Sequence, residues 1–206
     1  MSEPTWLVWA RALQAIAQTG LHYGSAGFDR ERYAEVQRIA AEMTAAGSGE
    51  LPERLVGLFG GQTGYATPKV GVRGAVFRDD AILLVRERHD DRWSLPGGWA
   101  DVNQTPAECV AREIMEESGF TARPVKLIAA WDRDRHSPVP YAFSVYVLFF
   151  LCELTGGAAM PGPETSAVAF FPEDGLPELS LPRVTAPQIR RMFAHRRNPD
   201  LPAEFD

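Results

Sequence analysis

Three glutamates, Glu113, Glu116 and Glu117, sit close together near the middle of a 206-residue chain. On a helix, at about 100° per residue, they fall within roughly a third of a turn and present three carboxylates on one face. Like charges at these spacings repel by about 0.2–0.5 kcal/mol. Solvent, the neighbouring Arg112 or a bound cation can offset that cost. Alone, such a trio reads as a solvated acidic helix face. Immediately upstream, however, runs Trp93-Ser94-Leu95-Pro96-Gly97-Gly98, where a rigid proline precedes two glycines that let a backbone carbonyl turn toward the carboxylates. A loop and a helix face then converge. Hard oxygen donors in that number suit Mg2+ or Mn2+ better than zinc, because no His or Cys is spaced as a ligand set.

The elements that must position these groups follow from the flanking sequence. Thr105-Pro106-Ala107-Glu108 supplies an N-cap, a proline at the first helical position and a capping-box glutamate, and Gly119 supplies the stop. This predicts a helix over 106–118, with Ala107, Val110, Ala111, Ile114 and Ser118 buried and the three glutamates opposite. From Lys69 the apolar period is two: Val70, Val72 and Val76 share a face, and a turn at Arg78-Asp79-Asp80 leads to a strand over 81–86. Further strands are predicted over 125–131, 142–154 and 168–171, with another helix over 186–195 and a partly ordered tail from Arg196. Before this the pattern is helical. Trp6, Trp9, Leu13 and Ile16 recur until Gly20, Asp29 caps a second helix carrying Tyr33, Val36, Ile39, Ala40 and Met43, and Pro52 to Phe59 forms a third. The glycines at 60, 61 and 64 then place a boundary near Thr67, giving a helical domain over 1–66 and a second domain over 67–206. Mixed strands and helices imply an α/β (α+β) sandwich.

Composition limits the partners. With 21 Lys and Arg against 27 Asp and Glu the net charge is −6, so the basic surplus that non-specific nucleic-acid binding needs is missing. The run Arg190, Arg191, Arg196, Arg197 is the one feature pointing the other way. Two cysteines, Cys109 and Cys152, are too few for a disulfide framework and fit a reducing cytoplasm. The N-terminus lacks a signal-peptide pattern, and the longest apolar stretch, Val145 to Cys152, falls short of the ~20 residues a membrane helix needs. No membrane partner is expected.

Gly98 through Phe120 resembles the Nudix box, G-x5-E-x7-R-E-U-x-E-E-x-G-U, where U is a bulky aliphatic. Gly98, Arg112, Glu113, Ile114, Glu116, Glu117 and Gly119 are in register, Phe120 is apolar though aromatic, and Gln104 stands where the first glutamate is expected. WSLPGGW, VGVRGAVF and ETSAVAFFPEDGLP are also similar to Nudix domains, so the likeness spans about residues 67 to 200. WLVWARALQAIAQTGLHY and FDRERYAEVQRIAAEM resemble the helical extension of a bacterial branch of ADP-ribose or CDP-choline pyrophosphatases.

The resemblance implies a Nudix-type α/β/α sandwich with a mixed sheet, preceded by a small helical domain. It implies a metal-dependent hydrolase that cleaves the diphosphate of a nucleoside diphosphate linked to another moiety, giving a nucleoside monophosphate and a phosphorylated product. Glu113, Glu116 and Glu117, with the carbonyl of Gly98, would then hold Mg2+ or Mn2+. Arg112 would orient the carboxylates, and Glu164 would serve as auxiliary ligand or base. Gln104 can accept a hydrogen bond from Arg112 but without charge assistance, and Glu108 is the candidate to supply the charge, so activity is expected to be retained but weakened. A silent Nudix domain that senses a nucleotide is the alternative. Arg86, Arg133 and His136, with Arg135, are candidate contacts for phosphate or leaving group, whereas His22, His89 and His195 have no pattern that singles them out. Trp6 and Trp9 read as packing or dimer contacts, and a homodimer is expected.

Overall fold

The computed structural model describes residues 4–24 and 27–206. Contacts divide the chain into two units: one takes in the N-terminal residues through Pro68 together with Pro140–Ser144, the other Lys69–Val139 and Val145–Asp206.

The first unit contains α1 (Thr5–Tyr23), α2 (Gly27–Ser48) and α3 (Pro52–Gly60). Helix α1 buries Leu7, Ala10, Gln14 and Ala17, not the stripe that the aromatic spacing predicts: Trp9 is 60% and Ile16 57% exposed. Asp29 lies inside the first turn of α2 and does not cap it. Small residues Ala40, Ala41 and Ala45 let α2 approach Leu55 and Phe59 of α3, and Leu13, Ala142 and Phe143 complete the cluster. The Phe59 and Phe143 rings meet edge to face at 5.9 Å, and Arg11 Nε donates to the Tyr141 carbonyl at 3.0 Å. The strand expected from 142 therefore begins only at Val145, because Ala142 and Phe143 belong to this cluster.

The second unit is a mixed sheet between helices. Its elements are β1 (Lys69–Arg78), β2 (Ala81–Glu87), β3 (Trp93–Ser94), α4 (Pro106–Ser118), β4 (Phe120–Asp132), α5 (Arg133–His136), β5 (Val145–Gly157), β6 (Thr165–Pro172), α6 (Ala186–Arg197) and β7 (Glu204–Phe205). The strand order is β3-β2-β1-β5-β4-β7, with β6 pairing β2. β1 runs parallel to β5, and β7 parallel to β4. The tail is thus not loose: β7 joins the sheet, and its Glu204 accepts from the fully buried His195 of α6 at 3.0 Å.

Strand alternation sends side chains to two cores. Ile82 and Leu84 pack with Ile189, Met192 and Phe193 of α6; Val72, Val76 and Leu83 pack with Val110 and Ile114 of α4. One detail of pairing positions everything that follows. β1 pairs β2 only at the hairpin end, Phe77 with Ile82 and Arg78 with Ala81. Beyond that, the loop after β3 takes over the edge of β1: Gly74 N–H donates to Pro96, Val72 N–H to Gly98, and Ala100 N–H to Val70, each at 2.9 Å.

Candidate active site

Helix α4 starts where its sequence dictates. Thr105 accepts from the Glu108 N–H while the Glu108 carboxylate accepts from Thr105, and Gly119 closes the helix at φ 73°, a left-handed conformation that glycine adopts without strain. Glu108 is thereby spent on the cap. Val110, Ile114 and Ser118 are buried as expected; Ala107 is exposed, and Cys109 lies inside instead.

The three glutamates do not share one environment. Glu117 is buried, 7% exposed, and its Oε2 accepts from the Gly97 N–H at 2.8 Å. Glu113 has a side chain only 13% exposed, whereas that of Glu116 is 53% exposed. A β-carbon added at Gly98 would lie 2.7 Å from Glu113 Oε1 and push that carboxylate aside, while Gly97, at φ 148° against the backbone of β1, requires glycine. The Gly98 carbonyl, expected to face the carboxylates, accepts from Val72 N–H at 2.9 Å with one of its two lone pairs.

Arg112 gathers four acceptors. Its Nε donates to Gln104 Oε1 at 3.2 Å, one terminal nitrogen to Glu116 at 2.7 Å, and the other to Asp101 at 2.9 Å while lying 3.0 Å from Glu113. The neutral Gln104 is a weak partner, and Asp101, rather than Glu108, supplies the charge. Asp101 was not singled out by spacing because it precedes the helix.

Beneath the loop lies a charged cluster that sequence reasoning missed. Arg73, on β1, donates to the Gly97 carbonyl, and its Nε is shielded from solvent without a partner. Glu87, at the end of β2, is 1% exposed, with Oε2 3.3 Å from Arg183 and Oε1 unpartnered. Burial pushes the Glu117 carboxyl up to about 7, against the pull of Arg73 and of the Gly97 N–H. Burial likewise raises Glu87, against Arg183 and Arg73, and raises Glu113, against Arg112. Desolvation and then Arg183 lower Arg73 from the usual guanidinium range. The available signal was an arginine inside the otherwise small and apolar strand VGVRGAVF.

The remaining expected residues are spread over separate elements. Glu164 is exposed; its carbonyl accepts from Arg88 N–H at 2.9 Å, and its charge opposes that of Glu87. The loop carrying it is fastened to the end of α4, where buried Thr165 donates to the Glu117 carbonyl at 2.8 Å. Arg86 pairs with Asp91 at 2.6 Å. Arg133 donates to the carbonyls of Pro182 at 3.2 Å and Val139 at 3.0 Å. His136 stacks on Trp131 at 4.6 Å and meets Asp206 at 2.8 Å.

Among the described residues no three His, Cys, Asp or Glu side chains converge tightly enough to hold an ion by themselves; Glu116 is turned to Arg112. The donors still fit a hard cation. Mg2+ is bound through one or two carboxylates, with water and substrate phosphate completing its shell, and Glu113 and Glu117 are shielded carboxylates whose charge the protein compensates only in part.

A mixed sheet between α4 and α6, with carboxylates of α4 set against a glycine loop, defines an acidic site suited to cations and anionic substrate. The NUDIX domain family matches residues 67–195, and residues 4–59 match the family described as UDP-X-like, N-terminal oligomerisation domain. The Bacillus subtilis protein YjhB, provisionally named an ADP-ribose pyrophosphatase, is 46% identical over 98% of this chain and 97% of its own length. The crystal structure of an ADP-ribose pyrophosphatase from Streptococcus suis is 39% identical, covering 68% of this chain and 100% of its own, with a TM-score of 0.63. That of a UDP-X diphosphatase is 31% identical over 100% of both chains, again with a TM-score of 0.63. The chain belongs to the Nudix family and is a hydrolase of a nucleoside diphosphate linked to another moiety.

Proposed function

We propose that the substrate is of the ADP-ribose class, hydrolysed between its two phosphates, and that Glu113 and Glu117 hold the required divalent cation, Mg2+ or Mn2+, with Glu116 released from Arg112 to join them. The observation that carries this reading is the shielded Glu117 carboxylate beside Glu113 and the Gly97–Gly98 segment. A bound Mg2+ or Mn2+ supplies charge neutralisation of the diphosphate oxygens and acidification of water. The chain's own residues do the rest. Arg112, backed by Asp101 and Gln104, orients Glu113 and Glu116; Arg73 holds the Gly97 carbonyl and the loop; Glu164, on the loop fastened to α4, is assigned the auxiliary role of ligand or proton acceptor from the attacking water.

The N-terminal match and the full-length likeness to a UDP-X diphosphatase favour a second reading, a UDP-linked conjugate. We further propose that residues 1–66 form a dimerisation domain for the catalytic domain over 67–206. Support comes from the exposed Trp9 and Ile16 of α1 and from the family that matches this segment. No helix among the described residues is long and apolar enough to cross a membrane. Two free, buried cysteines fit a cytoplasmic setting.

A phosphate-release screen of ADP-ribose, CDP-choline and UDP-linked conjugates, coupled to phosphatase and run with and without Mg2+ or Mn2+, tests the reading. Metal-dependent turnover, fastest on ADP-ribose, is expected; binding without turnover of any conjugate overturns it.

A further inference from the structure

We propose that Arg183, which the α4 motif does not include, is a diphosphate-binding residue, presented at the rim of the carboxylate site by the buried Glu87. The inference rests on the hydrolase reading above and deepens it by naming a group that touches the substrate.

The segment around Arg183 is a built support. Ser180 N–H donates to the Trp93 carbonyl and Trp93 N–H to Glu178, at 2.8 and 3.0 Å, so the segment is stitched to β3. Ser180 Oγ donates to Asp90 at 2.6 Å. On the other side, Ser137 Oγ donates to the Leu181 carbonyl at 3.0 Å and Arg133 to that of Pro182 at 3.2 Å. The N–H groups of Arg183 and Val184 both return to the Ser180 carbonyl, closing a tight turn. A backbone pinned this thoroughly fixes where its long side chain begins.

The side chain leads to the site. Its guanidinium is 3.3 Å from Glu87 Oε2 and is still 31% exposed, whereas Glu87 is 1% exposed. Arg183 lies within electrostatic range of Arg73, which already serves Glu117 and the Gly97 carbonyl. The charge of Arg73 is spent within the cluster, on Glu117, Glu87 and Glu113, whereas Arg183 is held at the edge by Glu87 alone with its guanidinium partly exposed. Among the described residues Arg183 makes no side-chain hydrogen bond, so most of its five N–H donors remain for a ligand. A planar guanidinium matches two phosphate oxygens at once. Glu87 sets its direction, and its unpartnered Oε1 is the cost of that buried support.

The test uses the full chain with Mg2+ and methylenediphosphonate, a diphosphate that cannot be hydrolysed and carries no base, measured by calorimetry. Arg183→Gln should weaken binding about 10- to 100-fold, as expected for losing charge-assisted hydrogen bonds. Mn2+ binding without phosphonate should not weaken, the KM for the best conjugate should rise by a similar factor, and kcat should change less. Arg183→Lys should fall between, and Arg123→Gln, which breaks only an exposed pair with Glu153, should bind as wild type. A merely structural role would move melting temperature and leave phosphonate affinity alone. Wild-type binding with Arg183→Gln within twofold of it overturns this proposal only. A wild-type chain that neither binds the phosphonate nor hydrolyses any conjugate overturns the hydrolase reading as well.

Discussion

The two units break the usual inside–outside rule in opposite ways. In the helical unit the charges stay outside: Arg38 pairs with Glu35 and Glu42, Arg54 with Glu50, and Arg32 with Asp29, all exposed and three or four residues apart in sequence. Such pairs are screened by solvent and decide little. What is unusual there is apolar surface left in water, at Trp9 and Ile16. The catalytic unit builds two sealed apolar cores and also takes Arg73, Glu87 and Glu117 inward. Under the proposed function each violation has a use: a second apolar surface in one case, cations and phosphate in the other.

The sharpest way to break this contrast is to remove the inward charge. Glu117→Gln should lower kcat/KM with Mg2+ by about 10²–10⁴-fold, while raising the melting temperature of the metal-free chain, because a shielded carboxylate no longer has to ionise. A variant that loses both activity and stability would show that Glu117 is held for folding. Arg73→Met acts oppositely. It removes the cation that compensates Glu117 and Glu87 and frees the Gly97 carbonyl, and should cost about 3 kcal/mol in denaturant unfolding, with Arg73→Lys recovering part of it.

The same charge has a pH signature. The Glu117 carboxyl rises from an ordinary 4.5 to about 7 on folding. Its protonated form is favoured in the native state, so this contribution to stability is fully present below pH 4.5 and is lost as pH rises through about 7. The metal-free chain should therefore lose about 3 kcal/mol between pH 4.5 and 7.5, and Glu113 and Glu87, also raised by burial, act in the same direction. Glu108 and Glu204, whose carboxyls are lowered, weaken the fold only as pH falls further. Mg2+ should restore stability more at pH 7.5 than at 5.5, as read by calorimetric melting; a slope equal to that of Glu117→Gln would remove the argument.

How much of this was legible in the sequence depends on how local the cause is. The start and stop of α4 were readable because the capping box and Gly119 act within one turn. The loop that replaces β2 along β1 was not, because strand pairing joins residues far apart in sequence. Arg73 and Glu87 read as ordinary strand charges until β1 and β2 diverge around them. Asp101 was invisible for a different reason: its partner Arg112 is 11 residues away, across a helix start. In α1 the aromatic spacing misled, since Trp9 and Ile16 form a stripe that is real but faces outward.

That stripe gives the next test. Trp9→Glu should weaken self-association by about thirtyfold, the effect of losing a central aromatic contact of about 2 kcal/mol. Sedimentation over a concentration series reads it. Because Trp9 is 60% exposed, the melting temperature of the dilute chain should hold; a variant that stays associated places the contact elsewhere.

The smallest effect comes from a polar group that the helical unit buries without a partner. Gln14 is 5% exposed on α1, and neither its Oε1 nor its Nε2 has a hydrogen-bond partner. Unpaired buried polar groups cost about 1–3 kcal/mol, and replacing one by an apolar side chain of similar size removes that cost. Gln14→Leu should therefore stabilise the chain by about 1 kcal/mol in urea unfolding, with turnover unchanged. The contrast with Glu117→Gln is the point: both substitutions relieve a shielded polar group and raise stability, but only the one in the catalytic unit should abolish function. Equal silence of both in turnover would mean that burial of charge near the glycine loop is as incidental as burial of an amide in α1.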